Sequence, residues 1–173
     1  LCSALSAPWY VVLARENAGG GLSVLALFLV ANGLASSLSA FFWGRLADVS
    51  SRRTMVGAGT LAAGLGVVLF VVVRGLPAVA ASTWLYPVAF FCLGVAHSGV
   101  RVGRKTYIVD MAGGNRRTDY VAVSNTVIGA VLLLTGAVGA LSTFLPPEGV
   151  ILALSAMGLA GAGLSAQLPE VED

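Results

Sequence analysis

Charge is what this chain lacks most. Only 10% of its 173 residues are Asp, Glu, Lys or Arg, where a water-soluble domain carries about 25%. That deficit excludes a disordered chain and a coiled coil, both of which depend on charge. Together with 57% hydrophobic residues and a mean hydropathy of +0.90, it excludes an ordinary soluble domain. A fold of this length leaves too much surface near water to hide so much apolar area. Cysteine is nearly absent. Cys2 and Cys92 lie far apart in apolar stretches and point to neither a disulfide framework nor a metal site. His97 is the only histidine. Its neighbour Ser98 is an i,i+1 partner, and such pairs on a helix do not face each other. With no second base, an intramembrane serine protease is excluded. No Cys/His cluster offers metal ligands. Gly57-Ala58-Gly59 follows no strand and is no dinucleotide fingerprint. The chain reads as a non-enzyme, with no cofactor and no metal expected.

What is present is a series of apolar blocks separated by short polar breaks. They cover residues 1–14, 22–43, 54–73, 82–100, 120–144 and 150–167. Blocks two to six run about 18–25 residues, the length a bilayer selects for helices. Helices are required because an unpaired backbone amide in hydrocarbon costs several kcal/mol. A β-barrel needs alternation over about ten residues, and runs such as Gly66-Val67-Val68-Leu69-Phe70-Val71-Val72-Val73 do not alternate. The first block has neither a basic flank nor a small-residue cleavage site, so it is no signal peptide. At about 14 residues it falls short of the roughly 20 that span a bilayer. The expectation is an all-α membrane protein of six transmembrane helices in one domain over residues 1–173. The first helix is cut short, as in a piece of a longer protein.

Basic residues set the orientation. Arg45, Arg52 and Arg53 follow block two; Arg101, Arg104, Lys105, Arg116 and Arg117 follow block four. Only Arg15 and Arg74 lie on the other side. The asymmetry places the basic breaks, and the acidic tail Glu170-Val171-Glu172-Asp173, in the cytoplasm. A multi-pass protein of the plasma (inner) membrane is expected. Trp9, Tyr10, Trp43, Trp84 and Tyr86 sit near block ends, where an aromatic belt would put them.

Polar residues are sorted by block. Blocks three and six hold no ionisable residue. Their small residues, four apart at Ala58, Ala62 and Gly66 and at Gly158 and Ala162, suit close helix packing. Blocks two, four and five carry Asn32, Ser36, Ser37 and Ser39; Cys92, His97 and Ser98; and Ser124, Asn125, Thr126 and Thr135. Polar groups at membrane depth face a bundle interior or a wet cavity. The pattern predicts blocks one, two, four and five around a path, with three and six supporting them. Asn32, His97 and Asn125 are the candidate cavity residues. His97, four residues before Arg101 at the block's end, reads either as a packing histidine or as a proton relay. Asn125 reads either as a helix-to-helix bond or as a substrate contact.

The break Gly44-Arg45-Leu46-Ala47-Asp48-Val49-Ser50-Ser51-Arg52-Arg53 is the most informative stretch. Gly44 allows a tight helix exit. Asp48 is an anion able to cap a helix or pair with arginine. The stretch resembles the signature loop of the major facilitator superfamily, G-x-L-A-D-R-x-G-R-R. Gly44, Leu46, Ala47, Asp48, Arg52 and Arg53 match, while Val49 and Ser51 depart. The resemblance implies a half bundle of six helices and a secondary transporter, or permease, moving a small solute by alternating access. It also implies a latch in which Asp48, Arg52 and Arg53 tie helix ends together, with Arg101 and Arg104 as the local partners of Asp48; the other reading is a solvated basic loop that serves only topology. The relaxed motif, the short acidic tail and the lack of a G-P-x-x-G-G element in block five point to the C-terminal half. The implied partners are the bilayer, a missing N-terminal six-helix half and a small-molecule substrate. A self-contained six-helix scaffold or assembly subunit is the alternative.

The second basic stretch, residues 101–120, allows an amphipathic segment from Arg104 to Met111 lying on the membrane with Tyr107, Ile108 and Met111 down. Gly113-Gly114-Asn115 signals a turn and Asp119 a cap for block five. Such a stretch serves topology or anionic lipid, not nucleic acid.

Overall fold

The computed structural model describes residues 1–19, 21–112, 116–134 and 138–171, and all regular structure among them is helical. In chain order the helices are α1 (Cys2–Ala18), α2 (Leu22–Val49), α3 (Ser51–Gly75), α4 (Pro77–Ala80), α5 (Leu85–Met111), α6 (Arg117–Leu134), α7 (Val138–Leu141) and α8 (Pro147–Ser165). The turn expected at Gly113-Gly114-Asn115, and the residues Thr135, Glu172 and Asp173, lie outside the described residues. Among the described residues, five stretches are long and apolar enough to cross a membrane: Val24–Val49, Ser51–Gly75, Leu85–Met111, Arg117–Ala140 and Pro147–Ser165. With α1 packed among them, the chain is an all-α, multi-pass membrane bundle.

The helices overrun their apolar blocks. α2 holds 28 residues and α5 holds 27, each about 40 Å at 1.5 Å per residue. The charges that bound the apolar blocks do not end the helices; caps do. α2 passes through Arg45 and Asp48 and stops only at Ser50, which is extended (φ −162°, ψ 106°). Ser50 then starts α3: its Oγ accepts from Arg53 N at 3.1 Å, the N-cap bond that a serine is suited to make. The expected loop at residues 44–53 is therefore two helices joined at one residue. Likewise the expected surface segment 104–111 is the end of α5.

α5 is the central helix, packed on α2, α3 and α1, with α6 against its far side. α3 packs on α8, and α8 on α1. Without a hydrophobic driving force in lipid, such helices are held by close packing, and two glycines show how close. A β-carbon on Gly103 of α5 would lie 2.8 Å from Met55 N and 3.0 Å from Ser51 O of α3. A β-carbon on Gly66 of α3 would collide with Ser155 Oγ of α8. Ala58 and Ala62 are buried on the same face of α3. Around α5, an aromatic cluster fills the space between α1 and α2. The Phe28 and Phe90 rings meet edge to face at 4.9 Å, and Tyr10 meets Phe90 at 6.4 Å.

That cluster corrects the aromatic-belt reading. Tyr10, Tyr86 and Trp43 are buried. Trp43 Nε1 donates to Val95 O of α5 at 2.8 Å, and Tyr86 OH donates to Ala80 O at 2.9 Å. A buried ring with a polar tip needs such a partner. Trp84, just before α5, is 65% exposed.

Candidate functional site

Two constellations stand out, one at the basic end of the bundle and one halfway along it. At the basic end, the α2–α3 joint meets the segment after α8. Arg52 Nη2 lies 2.6 Å from Glu170 Oε1, and Arg52 Nη1 donates to Leu168 O at 2.8 Å. Arg53 Nε approaches the same Glu170 Oε1 at 3.6 Å, and Ser50 Oγ donates to Glu170 Oε2 at 3.1 Å. Tyr107, from the end of α5, donates its hydroxyl to Pro169 O at 3.2 Å. One carboxylate thus gathers the start of α3, and the peptide carrying it is also held by α5. Arg53 is 77% exposed and Arg52 only 26%, so solvent screens the Arg53 contact more strongly.

This arrangement differs from the expected pairing of Asp48. Asp48 is exposed on the last turn of α2 and makes no ion pair among the described residues. Arg101 and Arg104 are not in a loop; they lie inside α5, and neither pairs with Asp48. Arg104 Nη1 is buried with no hydrogen-bond partner. Gly44 lies within α2 and has open space where a side chain would stand, so it makes no tight exit there. Ser50 does the capping that Asp48 was suited to. At the opposite end of the bundle, Arg74 Nη1 lies 3.6 Å from Glu148 Oε1 of α8, fixing the start of that helix.

The second constellation surrounds His97. Because α5 extends to Met111, His97 lies twelve residues past Leu85 and fourteen short of Met111. It is at mid-helix, not one turn from the end. Its Nδ1 shares a hydrogen bond with Ser3 Oγ of α1 at 3.0 Å. Asn32 of α2 joins them at a cavity of about 220 Å³, whose other walls include Ala4, Ala7, Phe90 and Gly94. Small residues on α1 and α5 leave the room, and His97, Ser3 and Asn32 supply the polar groups. Asn32 is exposed. Arg104 lines a neighbouring cavity of about 180 Å³ that shares Ser3 with the first.

The structure therefore brings Asn32 and His97 together and leaves Asn125 apart. Asn125 lies exposed on α6, a helix that packs chiefly on α5. Sequence reasoning missed Ser3, Ser50, Tyr107 and Glu170. Glu170 carried a signal, being an anion in a tail facing an arginine pair. Ser3, one hydroxyl in an apolar block, carried none. Cys2 and Cys92 are both free thiols.

A bundle of helices long and apolar enough to cross a membrane, with a polar niche halfway along α5 and a charged joint at one end, is that of a multi-pass membrane protein. The chain belongs to the Major Facilitator Superfamily, whose family model matches residues 1–170. No curated protein and no solved structure matches it. It is a major facilitator superfamily transporter, integral to the membrane and multi-pass.

Proposed function

We propose that this chain is one six-helix half, the C-terminal one, of a secondary transporter that works by alternating access. Two bundles rock about a site near the bilayer midplane. The observation that supports this is the niche of Ser3, Asn32 and His97, built from α1, α2 and α5 halfway along α5. Polar side chains at that depth are costly unless they serve a wet cavity or another helix. α3 and α8, packed on each other through small residues, support the wall. α6, with Asn125, faces the second bundle. An N-terminal bundle completes the site around a small solute. The protein acts as a permease, not as an enzyme.

In this reading the basic end is cytoplasmic, in the plasma membrane, as the arginine asymmetry predicts. Arg52, Arg53 and Glu170 form the inner clamp, and Asp48 meets a partner only as the bundles close. The test uses the intact protein with Cys2 and Cys92 changed to Ser and Asn32→Cys as the single thiol. A membrane-impermeant maleimide is applied to whole cells and, separately, to inside-out vesicles. Labelling from both faces is the expected result. Labelling from one face only, or from neither, overturns alternating access at this niche.

A further inference from the structure

Along α5 the chemistry changes in one direction. Phe90 lies at one end of the niche, Gly94 and His97 follow, and Arg101 and Arg104 come next. His97, Arg101 and Arg104 are spaced i, i+4 and i+7, so they share one face of the helix. Arg101 is exposed, and Arg104 Nη1 is buried without a partner. Neither arginine makes an ion pair among the described residues.

The acidic residues are elsewhere. Glu148 is paired with Arg74 and Glu170 with Arg52 and Arg53. Glu16, Asp48, Asp110 and Asp119 are exposed. None lines the niche or the neighbouring cavity that Arg104 borders. An organic cation entering here would meet no counter-charge from this wall and two uncompensated guanidinium groups below it. An anion would supply the counter-charge that the wall lacks.

We infer that this half of the transport path selects a small organic anion, a carboxylate on an apolar body. The apolar part sits against Phe90, the carboxylate accepts from His97, Ser3 or Asn32, and Arg101 supplies the attraction. The inference rests on the transport reading of the same niche and adds the charge of the solute. Charged groups arranged in this way set specificity and draw the ligand in.

Three probes of one shape and three charges test it: benzoate, benzyl alcohol and benzylammonium. The intact protein is purified in mild detergent, and its melting midpoint is followed against each probe. Benzoate raises the midpoint in a saturable way, and the other two do not. Arg101→Gln raises the half-saturating benzoate concentration about tenfold, the effect of one screened charge contact. Arg101→Lys keeps the charge and stays within about twofold. Arg116→Gln, an equal loss of charge just before α6, leaves binding unchanged. Arg101 is exposed, and the midpoint without probe checks that each variant is folded.

No response to benzoate, an equal response to benzyl alcohol or benzylammonium, or an unchanged titration in Arg101→Gln overturns the inference. The two proposals fail separately. A protein labelled at Asn32→Cys from both faces but indifferent to benzoate keeps alternating access and loses the anion site. One that binds benzoate but labels from one face does the reverse.

Discussion

Arg52 and Glu170 meet at 2.6 Å across 118 residues of chain, joining the start of α3 to the peptide that follows α8. The same guanidinium also holds the Leu168 carbonyl, so the contact fixes a backbone as well as a charge. Both partners remain partly in water, and their contribution is set by that exposure more than by the short distance.

Glu170→Gln is therefore expected to lower stability by about 0.5–1 kcal/mol, in line with a partly exposed pair. The melting midpoint of the protein in detergent measures it. Adding Arg52→Gln to Glu170→Gln is expected to cost less than the two single losses summed, because both remove one contact. Strict additivity of the two losses would show that the pair is not coupled.

Gly103→Val forces a side chain into the backbone of α3 near Met55. Overpacking costs about 1–3 kcal/mol where neighbours can yield, and backbone yields little, so loss of folded protein is expected. Gly64, also within α3, has open space around its missing β-carbon. Gly64→Ala is expected to fold as the parent does. Yield of monodisperse protein in size-exclusion chromatography compares the two. Equal yields from both variants would contradict the close approach of α3 and α5.

Trp43→Phe keeps most of the buried ring and removes the donor to Val95 O. The expected cost is about 1 kcal/mol for the hydrogen bond, with a smaller packing loss. Thermal unfolding detects it. A stability unchanged or raised would mean that the indole nitrogen is not held by α5.

Asp48→Asn separates the roles of the two carboxylates near the joint. Asp48 is exposed and has no ion pair among the described residues. Surface changes of this kind shift stability by no more than about 0.5 kcal/mol. The expected result is an unchanged melting midpoint with slower transport by the intact protein, because the proposed cycle engages the carboxylate only in its closed inner state. Transport at the parental rate would remove Asp48 from the gate.

The helical, membrane-embedded character of the chain was readable because lipid imposes both segment length and backbone satisfaction. The ends of the helices were less readable. Arg45, Asp48, Arg101 and Arg104 suggested breaks, yet α2 ends at the cap offered by Ser50, and α5 continues because Gly103 and Tyr107 pack against neighbouring segments. Moving the end of α5 to Met111 moves His97 to mid-helix, and this relocates the candidate site without changing its residue. Asn32 and His97 could be named from their cost in hydrocarbon. Ser3 is defined only by its 3.0 Å contact with His97, and Glu170 only by a fold that returns the chain's far end to α3. Contacts at such separations are set by topology, which local pattern does not encode.

The single extended residue at Ser50 leaves almost no slack between two rods of 28 and 25 residues. In the transport cycle proposed above they would act as a jointed lever: a tilt of α2 would swing the first turn of α3, and with it the two arginines that reach Glu170, gearing the solute path to the far strap of the bundle without any separate moving part.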